Sequence, residues 1–314
     1  MAKAYQKTKV SIIILTINSR EMVVSAMKNI SGLKTDNLLA CTIVVDNGST
    51  DGTQEKLKNY SLPNMDYKFI ETGKNLGFAQ GNNVGIKESL KNNFDYSIIM
   101  NDDIVLPKDF LTKMVDFMNS NHEVMMASPK IFFAKGYEYH KDRYKKKELG
   151  KVIWYAGGKI DWDNIYTNHI GVDEVDNGQH DFVTDTDTIS GSCVIIRNDV
   201  FKSVGFLDKS LFLYWEDSDL SQRVKRKGLQ IRYAPIISVR HKVSASAGGI
   251  GSKSNDYFLI RNRYYFAMRY ARLRTKFAIF RDTIRLLFFG QGWQRLGARD
   301  ALIGIKGAGP WIKK

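Results

Sequence analysis

The sequence predicts an α/β fold in which a mostly parallel central sheet is flanked by helices. Continuous apolar runs, typical of buried parallel strands, alternate with segments whose apolar residues recur at helical spacing. This alternation predicts repeated β–α–β units, which place helices on both faces of a sheet. Polar residues follow several of the apolar runs, and ligands bind beyond the carboxyl ends of the strands in such sheets.

The predicted elements follow one another in a regular order. KVSIIILTIN is a continuous apolar run, and SREMVVSAMKNISGL follows with helical spacing and with Ser19 as a candidate N-cap. Further strands are predicted in LACTIVVDNGST, YKFIETG and YSIIMNDD, and further helices begin in STDGTQEKLKNY and GFAQGNNVGIKESLK. Later in the chain, TDTISGSCVIIR is strand-like, FLYWEDSDLSQRVKRKG contains an amphipathic helix, and YAPIISVRHKVSASAGG ends a strand at His241.

Length and composition are those of a globular protein with a core of its own. The chain has 314 residues, of which 43% are hydrophobic and 25% charged, and only five prolines. Cys41 and Cys193 lie among apolar residues and resemble small core side chains in a reducing compartment. The first apolar run lacks the features of a secretory signal, and no run reaches the roughly 18 apolar residues of a membrane span. We therefore expect a cytoplasmic protein.

Positive charge is concentrated towards the C-terminal end. Residues 261–314 contain 13 lysines and arginines against Asp282 and Asp300, a net charge of +11, so that the first 260 residues carry only +3 of the chain's +14. A near-neutral body with a basic tail differs from a uniformly basic nucleic-acid-binding protein. We therefore expect a main domain over residues 1–260, a basic, aromatic helical region over residues 261–314, and no nucleic-acid partner.

Polar residues collect where three predicted strands end. Thr16 and Asn18 follow the first strand, Asp46 the second, and Asn101 to Asp103 the fourth. Two adjacent carboxylates at the end of an apolar strand repel each other and are costly to bury unpaired. Water and backbone amides in a turn could compensate them, and so could a divalent cation, which prefers hard oxygen ligands. The convergence of three strand ends on one edge favours a functional site there.

A loop rich in glycine and asparagine precedes the fourth strand. GKNLGFAQGNNVG has neither the spacing of a dinucleotide-binding fingerprint nor the Gly-Lys-Ser/Thr of a Walker A loop. A tightly packed helix entry would account for it, and so would backbone amides that approach a phosphate or a sugar. A nucleoside diphosphate bridged by a metal ion to Asp103 would explain the whole edge.

A second group of candidate residues lies further along the chain. Gly191 stands between two serines, which suggests close approach of the backbone to a ligand. Glu216, Asp217 and Asp219 fall in the first turn of a predicted helix, where the helix dipole alone already favours acids. A partly desolvated carboxylate at this position could also act as a general base.

Aromatic residues and a histidine accompany these acids. Tyr214 and Trp215 directly precede the predicted helix, and aromatic surfaces beside a carboxylate suit a sugar-binding site. His241 follows a strand end, as Asp103 does. The other four histidines lie in polar, loop-like contexts and form no ligand cluster with each other in the sequence.

Taken together, these segments resemble the inverting glycosyltransferases of family 2, which have the GT-A fold, and especially their rhamnosyltransferase-like members. The matching segments follow the family's order from roughly residue 10 to residue 266, and their joint pattern is specific although each alone is weak. They are ILTINSR, VVDNGSTDGT, NLGFAQGNNVG, IMNDDIVLP, ISGSCVIIRNDVFKSVGFLD, YWEDSDLSQRVKRKG, YAP…VRH and YFLIRNRYYF. The resemblance implies a GT-A catalytic domain over residues 1–260 that takes its sugar from a nucleotide-sugar.

The resemblance places a set of residues at the nucleotide-sugar. They are Thr16, Asn18, Arg20, Asp46, Asp51, Asn75, Gly77, Asn82, Asn101, Asp102, Asp103, Gly191 and Trp215. Among them, Asp46 is expected to hydrogen-bond the base, and Asp51 to support the same turn. Many members of the family have an aspartate at the position of Asn101. The expected contact of Asn101 with the ribose therefore comes from a neutral amide and not from a charged carboxylate.

The same resemblance implies a metal site and a catalytic base. NDD occupies the position of the family's DxD motif, so that Asp103 is expected to bind Mg2+ or Mn2+ at the diphosphate, with His241 as the additional ligand. Asp217 matches the base of the family's ED motif, and Glu216 and Asp219 are expected to orient it or to bind acceptor hydroxyls. The base would take the proton of an acceptor hydroxyl in a single displacement that inverts the anomeric carbon.

Substrates and assembly stay open at this point. The donor could be dTDP-rhamnose, a UDP-sugar or a GDP-sugar, and the acceptor a saccharide or a lipid-linked saccharide of cell-surface glycan synthesis; a homo-oligomer is also open. The alternatives are a nucleotidyltransferase-like enzyme, although LTINSREM lacks the expected basic glycine-rich loop, and a catalytically inactive nucleotide- or carbohydrate-binding protein. The charged insertion at residues 134–151 is either a mobile loop that contacts the acceptor or only a solvent-exposed excursion of the chain. We favour the second interpretation.

The basic tail predicts a further contact. Its predicted helix has an apolar face made by Phe277, Phe280, Ile284, Leu287 and Phe288. Arg281 and Arg285 are expected to lie away from this face, an arrangement typical of a helix in a membrane interface. The alternative is a helix packed against the body with its arginines in water. The charge of +11 favours peripheral association with an anionic membrane, at the inner face of the cell membrane.

Overall fold

The computed structural model describes residues 7–243 and 253–312 and confirms the predicted α/β architecture. Residues 1–6, residues 244–252, which include the SASAGG stretch after His241, and residues 313–314 lie outside the described residues. The strands are β1 (Thr8–Thr16), β2 (Leu38–Asp46), β3 (Asp66–Glu71), β4 (Tyr96–Asn101), β5 (Ile104–Val105), β6 (Val124–Phe133), β7 (Ile153–Tyr155), β8 (Gly158–Asp161), β9 (Tyr166–His169), β10 (Thr184–Asp185), β11 (Cys193–Arg197) and β12 (Gln230–His241). The helices are α1 (Arg20–Ile30), α2 (Thr53–Leu57), α3 (Gly77–Lys91), α4 (Phe110–Ser120), α5 (Asp199–Val204), α6 (Glu216–Arg226), α7 (Lys253–Tyr270), α8 (Leu273–Phe289) and α9 (Gly292–Leu302).

The main sheet is mostly parallel, as predicted, with one antiparallel strand inside it. Its order is β10–β12–β6–β11–β4–β1–β2–β3, with β5 paired to β12 and β7 to β6, while β8 and β9 form a separate hairpin. Strands β4, β1, β2 and β3 are mutually parallel, whereas β11 runs antiparallel to both β4 and β6. The strand predicted in TDTISGSCVIIR is shorter than expected, because Gly191 and Ser192 form a turn and the regular strand begins at Cys193.

The central strands are buried on both faces, which explains their continuous apolar runs. Along β1, Ile12 and Ile14 pack into a core with α1 and α4, whereas Ile13 packs into a second core with α3, α5 and α6. Side chains alternate between the two faces of a strand, so that a strand covered by helices on both sides needs apolar residues at every position. This double burial holds the strand ends, and the polar residues on them, in fixed positions.

The C-terminal helices pack on the body through an aromatic cluster. Trp215, just ahead of α6, contacts Phe266 of α7 with ring centroids 4.8 Å apart, and Tyr270 of α7 lies 4.7 Å from Phe266. The boundary predicted between residues 260 and 261 falls inside α7 (Lys253–Tyr270). Among the described residues, no helix combines the length and the apolar character needed to cross a membrane.

The charged insertion is closed at its base by a buried glutamate. Glu138 is 2% exposed and accepts hydrogen bonds from the amides of Gly136 and Gly150, at 2.8 and 2.6 Å. The side chains between these positions, from Lys141 to Lys147, are mostly exposed. The segment is therefore an excursion into solvent that is held at its two ends.

Candidate active site

The strand ends that carry the predicted polar residues lie side by side. Thr16 of β1 is in register with Asp46 of β2, and Leu15 is in register with Asn101 of β4. Thr16 Oγ1 donates a hydrogen bond to Oδ2 of Asp102 at 2.9 Å, which joins the ends of β1 and β4 directly. The predicted convergence on one edge of the sheet is therefore present in the structure.

The carboxylate of Asp102 forms hydrogen bonds with neighbouring side chains of the protein. Besides Thr16, its carboxylate interacts with the hydroxyl of Ser19. Ser19 takes the predicted N-cap position of α1 but makes no hydrogen bond from its side chain to the helix. Burial and the neighbouring charge of Asp103 raise the pKa of Asp102 to about 6. We assign Asp102 the role of tying two strand ends together.

Asp46 is fully buried at the end of β2 and keeps one oxygen open. Its Oδ2 accepts hydrogen bonds from the amide of Ser49 at 3.1 Å and from Nε2 of Gln54 at 2.7 Å. No partner for its Oδ1 occurs within residues 7–243 and 253–312. A buried acceptor without a partner costs roughly 1–3 kcal/mol, which a hydrogen-bond donor on a ligand would offset.

The turn after β2 is locked to the end of β1. Asn18 has a positive φ of 48°, and its Oδ1 accepts a hydrogen bond from the amide of Thr50 at 2.7 Å. Asp51 accepts one from the amide of Arg20 at 3.0 Å and another from the hydroxyl of Thr53 at 2.6 Å. The two side chains cross-link the loops, as expected for Asp51, while the side chain of Arg20 is exposed at the edge.

The asparagine-rich loop is ordered by its own side chains. Asn75 Oδ1 accepts hydrogen bonds from Nδ2 of Asn47 at 3.1 Å and from the amide of Gly77 at 2.9 Å. Asn82 donates to the carbonyl of Phe78 at 3.0 Å, and its buried Oδ1 finds no partner in the described part of the chain. The loop therefore presents a prearranged surface between β3 and α3.

Gly77 is required where α3 begins. Its φ is +79°, and a Cβ atom there would lie 2.4 Å from the ring of Phe212. The approach joins this loop to the segment before α6, because the amide of Ala79 donates to the carbonyl of Phe212 at 3.2 Å. Both explanations of the glycine-rich loop, close packing and an open backbone surface, therefore describe parts of it.

Asp103 and His241 meet at the end of β12. Strand β5 pairs antiparallel with β12, which sets Ile104 opposite His241. As a result, His241 Nε2 lies 3.0 Å from Oδ1 of Asp103, and both side chains are about 6% exposed. The ring of Trp154 stands edge-on to that of His241 with centroids 4.5 Å apart, which restricts its orientation.

Asp217 lies beside a cavity of about 300 Å³. Its Oδ2 accepts a hydrogen bond from the amide of Gly191 at 3.2 Å, and its Oδ1 accepts one from the amide of Ser218 at 2.7 Å. Burial raises the pKa of Asp217 although these hydrogen bonds oppose the change. Asn101 also lines the cavity, and its backbone N–H donates a hydrogen bond to the carbonyl of Ser192 at 3.0 Å.

Glu216 lines the same cavity in a strongly desolvated position. It is 5% exposed, and its Oε2 has no hydrogen-bond partner among the described residues. Burial, and then the charge of Asp217, raise the pKa of Glu216 well above its ordinary value. Neighbouring Trp215 also keeps its buried Nε1 without a partner in the described ranges. Both groups are placed to meet a polar ligand.

Asp219 is directed away from the cavity, in contrast to its expected place beside the acceptor. Its Oδ2 accepts from Nε of Arg223 at 2.8 Å. Its Oδ1 bonds to Arg269 and accepts from the hydroxyl of Tyr270 at 2.7 Å. The side chain is 1% exposed, so that we assign it to the packing of α6 against α7 and not to the candidate active site.

The backbone before α6 adopts an unusual conformation that the sequence analysis did not anticipate. Phe212, Tyr214 and Trp215 all have positive φ, at 66°, 65° and 75°, a region in which bulky residues are strained. Strain of this kind persists only where surrounding contacts enforce it. Here it delivers Asp217 to the first turn of α6 beside Gly191.

Two residues of α7 enforce this conformation. The side-chain amide of Asn262 donates to the carbonyls of Leu211, Leu213 and Tyr214 at 2.8, 2.8 and 3.0 Å. Arg261, with no exposed surface, donates to the carbonyl of Leu211 at 2.9 Å. Both residues belong to the YFLIRNRYYF segment, whose pattern was noted in the sequence without a role.

The β8–β9 hairpin forms another cavity wall that was missed. Thr167 and His169 line the cavity, and the His169 ring stands edge-on to Trp154 with centroids 4.4 Å apart. Burial lowers the pKa of His169 to about 4, so that the imidazole is neutral at physiological pH. Only the alternation of aromatic and polar residues in this segment could have indicated it.

Known proteins similar to this chain share its fold and its family pattern. One is a low-salt glycan biosynthesis hexosyltransferase of Haloferax volcanii, 25% identical over 81% of this chain and 74% of that protein. Another is an N-acetylglucosaminyl-diphospho-decaprenol L-rhamnosyltransferase of Mycobacterium tuberculosis, 26% identical over 66% of this chain and 67% of that protein.

Among solved structures, a mannosyltransferase of Pyrobaculum calidifontis in complex with GDP-Man and Mn2+ has the same fold. It is 16% identical, with a TM-score of 0.55 over 94% of this chain and 74% of the other. The GT-A fold expected from the sequence is thereby confirmed. Residues 11–204, well over half of the chain, match the family described as glycosyl transferase family 2. The chain therefore belongs to glycosyltransferase family 2 and is a glycosyltransferase of the rhamnosyltransferase-like type.

Proposed function

We propose that the protein transfers a sugar, with inversion, from a nucleoside-diphosphate sugar to a saccharide or lipid-linked saccharide in cell-surface glycan synthesis. Of the three kinds of donor that the sequence leaves open, dTDP-rhamnose, a UDP-sugar and a GDP-sugar, we propose dTDP-rhamnose or a UDP-sugar. Similarity to a hexosyltransferase of glycan biosynthesis and to an L-rhamnosyltransferase that acts on a decaprenol-linked sugar supports this choice. Membership of a glycosyltransferase family speaks against the nucleotidyltransferase and inactive alternatives.

The observation that carries the proposal is the position of Asp217. Its carboxylate is held by Gly191 and Ser218 at the wall of a cavity that Trp154, Tyr214 and other aromatic side chains also line. Two hydrogen bonds fix its orientation, and burial raises its pKa, which makes it a stronger base than an exposed aspartate. Asp217 would take the proton of the acceptor hydroxyl as that oxygen attacks the anomeric carbon.

The donor would lie along the strand ends. The open Oδ1 atom of Asp46 could accept a hydrogen bond from the base, and the buried Oδ1 of Asn82 one from the sugar. The loop built on Asn75 and Gly77 and the turn built on Asn18 and Asp51 would enclose the nucleotide. These residues bind and orient the donor, so that its anomeric carbon faces the cavity and Asp217.

Asp103 and His241 fit a divalent cation. Neighbouring ligands of Mg2+ at about 2.1 Å from the ion stand about 3 Å apart, which matches the 3.0 Å between Asp103 Oδ1 and His241 Nε2. Within the described ranges, no cluster of three or more acidic, histidine or cysteine side chains could hold a metal. Phosphate oxygens and water would complete the coordination, as is usual for Mg2+. A bound Mg2+ or Mn2+ stabilises the charge that develops on the departing diphosphate.

The test is a thermal-shift screen followed by product analysis. dTDP-rhamnose, UDP-glucose, UDP-N-acetylglucosamine and GDP-mannose are each added with Mn2+, with Mg2+ or with EDTA. A ligand at about 100 times its Kd stabilises the folded state by about 2.7 kcal/mol, so that one nucleotide-sugar should raise Tm by several degrees with metal only. NMR of the transfer product should then show an inverted anomeric configuration. A product of retained configuration would overturn the proposed mechanism, and no shift with any donor would overturn the proposed donor class.

A further inference from the structure

Helix α8 turns its apolar side to solvent. Its buried side chains are Thr275, Ile279 and Thr283, two of them polar. Phe277 and Phe288, by contrast, are 67% and 65% exposed. An amphipathic helix on a globular protein normally buries its apolar stripe and exposes its polar side. In α8 the buried side is mostly polar and the apolar side is exposed, so that packing against the body does not account for its exposed phenylalanines.

The exposed apolar residues form one stripe. At 3.6 residues per turn, positions 273, 277, 280, 284 and 288 fall within an arc of about 80°, opposite the buried side. Leu273 and Phe280 are 70% and 43% exposed, so that the stripe runs from the first residue of the helix to Phe288 in its last turn. Phe289, at the end of the helix, is 83% exposed but lies about 100° further round, outside the stripe. Soluble proteins rarely expose a contiguous apolar patch of this length except at a site of interaction.

Arginines border this stripe along one edge. Positions 274, 281 and 285 follow the apolar arc directly on the helix surface, so that they flank it and do not lie opposite to it. Arg274 and Arg281 are exposed, and no carboxylate in the described ranges forms an ion pair with either. The acid of this helix, Asp282, pairs with Arg263 of α7 at 2.8 Å and with Arg285 at 3.6 Å, so that no ion pair compensates the charges of Arg274 and Arg281 in the described ranges. The surface therefore combines apolar groups with uncompensated positive charge.

We propose that this face of α8, from Leu273 to Phe288, docks onto an anionic lipid surface. The phenylalanines and Leu273 enter the boundary between headgroups and acyl chains, while the flanking arginines contact lipid phosphates. Charge complementarity selects this occupant, because a helix with exposed arginines beside aromatic side chains is attracted to anionic membranes, and two of its three arginines, Arg274 and Arg281, form no ion pair in the described ranges. A second copy of the chain would bring two like-charged rows together, which is unfavourable.

The docking surface is connected to the wall of the cavity. Arg263, which holds Asp282 of α8, also donates to the carbonyls of Asn164 and Ile165 at the tip of the β8–β9 hairpin. The same hairpin carries Thr167 and His169 into the cavity. A membrane under α8 would thus lie next to the hairpin that borders the cavity; the inference that a lipid-linked acceptor enters from this side, unlike the docking itself, rests on the proposed function.

Co-sedimentation with vesicles tests the docking. The full-length protein is mixed with phosphatidylcholine vesicles, with or without 30% phosphatidylglycerol, at about 50 mM and about 500 mM NaCl. Binding should require phosphatidylglycerol and fall at high salt. Phe277→Ser with Phe288→Ser, and separately Arg274→Glu with Arg281→Glu, should each lower the partition coefficient about tenfold or more. Their Tm should stay close to that of the wild type, because these exposed side chains form no hydrogen bond, ion pair or ring contact in the described part of the chain.

Matched substitutions elsewhere serve as controls. Phe182→Ser removes an equally exposed phenylalanine, and Lys146→Glu with Lys147→Glu reverses two exposed charges on the insertion. Both should bind vesicles like the wild type. Equal losses in control and α8 variants, equal binding to neutral vesicles, or no binding at low salt would each overturn the proposal. A wild-type dimer in light scattering that Phe277→Ser and Phe288→Ser convert to a monomer, without vesicle binding, would assign the face to self-association instead.

Failure of the docking and failure of the proposed function give different results. The α8 variants should transfer sugar to a water-soluble acceptor at the wild-type rate, since none of the substituted side chains lines the cavity. If vesicle binding is confirmed but no sugar is transferred to any acceptor, the proposed function fails and the docking surface stands. If transfer is confirmed but vesicles are not bound, the docking proposal is wrong and the proposed function stands.

Discussion

The backbone amide of Gly191 donates a hydrogen bond to Oδ2 of Asp217 at 3.2 Å, across 26 residues of sequence. With Ser218 on the other oxygen, the carboxylate is held in one orientation, while Oδ2 keeps a second acceptor position. A proton acceptor that is already oriented loses little entropy when the substrate arrives. Substitutions at Gly191, at Asp217 and at their neighbours therefore test the candidate site.

We expect Asp217→Asn to lower turnover with little effect on donor binding. The amide has the shape of the carboxylate but cannot take a proton, and a general base typically contributes roughly 10²–10⁴-fold to rate. The measurement is kcat for transfer together with the Kd of the donor from calorimetry. A Kd raised in step with the loss of kcat would show that Asp217 binds the donor instead.

Asp219→Asn is the matched control for that variant. Asp219 is buried, but its partners Arg223 and Arg269 are 22% and 41% exposed, so that its loss should cost less than the roughly 3–5 kcal/mol of a fully buried ion pair. We therefore expect urea unfolding to show a lower stability, with kcat of the folded fraction reduced far less than in Asp217→Asn. The reverse pattern, stable but inactive Asp219→Asn, would mean that the wrong carboxylate has been assigned.

Metal binding should depend on Asp103 and His241. We expect Asp103→Ala to abolish activity and His241→Ala to weaken it strongly. Because activity alone does not identify a ligand, electron paramagnetic resonance of free Mn2+ in the presence of UDP or dTDP should show loss of nucleotide-dependent Mn2+ binding in both variants. The surface pair of His140 and Asp173, 3.8 Å apart, provides the control His140→Ala, which should bind Mn2+ normally. Full activity of Asp103→Ala in EDTA would remove the metal from the mechanism.

Two glycines should respond differently to alanine. At Gly191, an added Cβ would lie 3.4 Å from Phe78 and 3.5 Å from Asp217, which is ordinary contact, so that Gly191→Ala should keep its Tm but raise KM by crowding the cavity. At Gly77, positive φ and a 2.4 Å approach to Phe212 should lower the free energy of unfolding by about 2 kcal/mol or more. Calorimetry and initial rates distinguish the two. A destabilised Gly191→Ala with unchanged KM would contradict the placement of Gly191 at a ligand.

Glu216 should make stability depend on pH. An acid whose pKa is raised on folding binds more protons in the folded state, so that its ionisation costs stability as pH rises above the ordinary value of 4.5. Glu216→Gln imitates the neutral acid. We expect its Tm to equal that of the wild type near about pH 4 and to exceed it increasingly towards about pH 8. A constant difference at all pH values would show that Glu216 does not titrate in this way.

The strand ends of the first half were predictable because the pattern of burial leaves little freedom. A run such as SIIILT must be covered on both faces, and parallel pairing then places Thr16, Asp46 and Asn101 on one edge. Their shared position at the ends of neighbouring strands was therefore predictable from the sequence, while their roles in binding stay predictions. Their individual partners, such as Thr16 for Asp102, depend on rotamers and were not predictable.

Three features could not be read from the sequence. Asp217 and Asp219 both belong to the first turn of one helix, and Asp219 is held away from the cavity by Arg223 together with Arg269 and Tyr270, about 50 residues later. The left-handed backbone of Tyr214 and Trp215 contradicts local preference and is imposed by distant contacts. The apolar stripe of α8 was visible in the sequence, but which side of the helix faces the protein is settled by packing with α7 and α9.

The hydrogen bonds of Arg261 and Asn262 to the segment before α6 also bear on how this protein can be divided. A chain cut after residue 260 would retain every residue that lines the cavity and lose the two side chains that hold the backbone ahead of Asp217. The C-terminal helices are therefore not a separate module that could be exchanged between related enzymes by a cut after residue 260. Any chimera that keeps this catalytic body has to keep α7 with it, together with the segment as far as Gly307, because Asp300 accepts a hydrogen bond from Tyr257 and the carbonyl of Gly307 accepts one from Arg261.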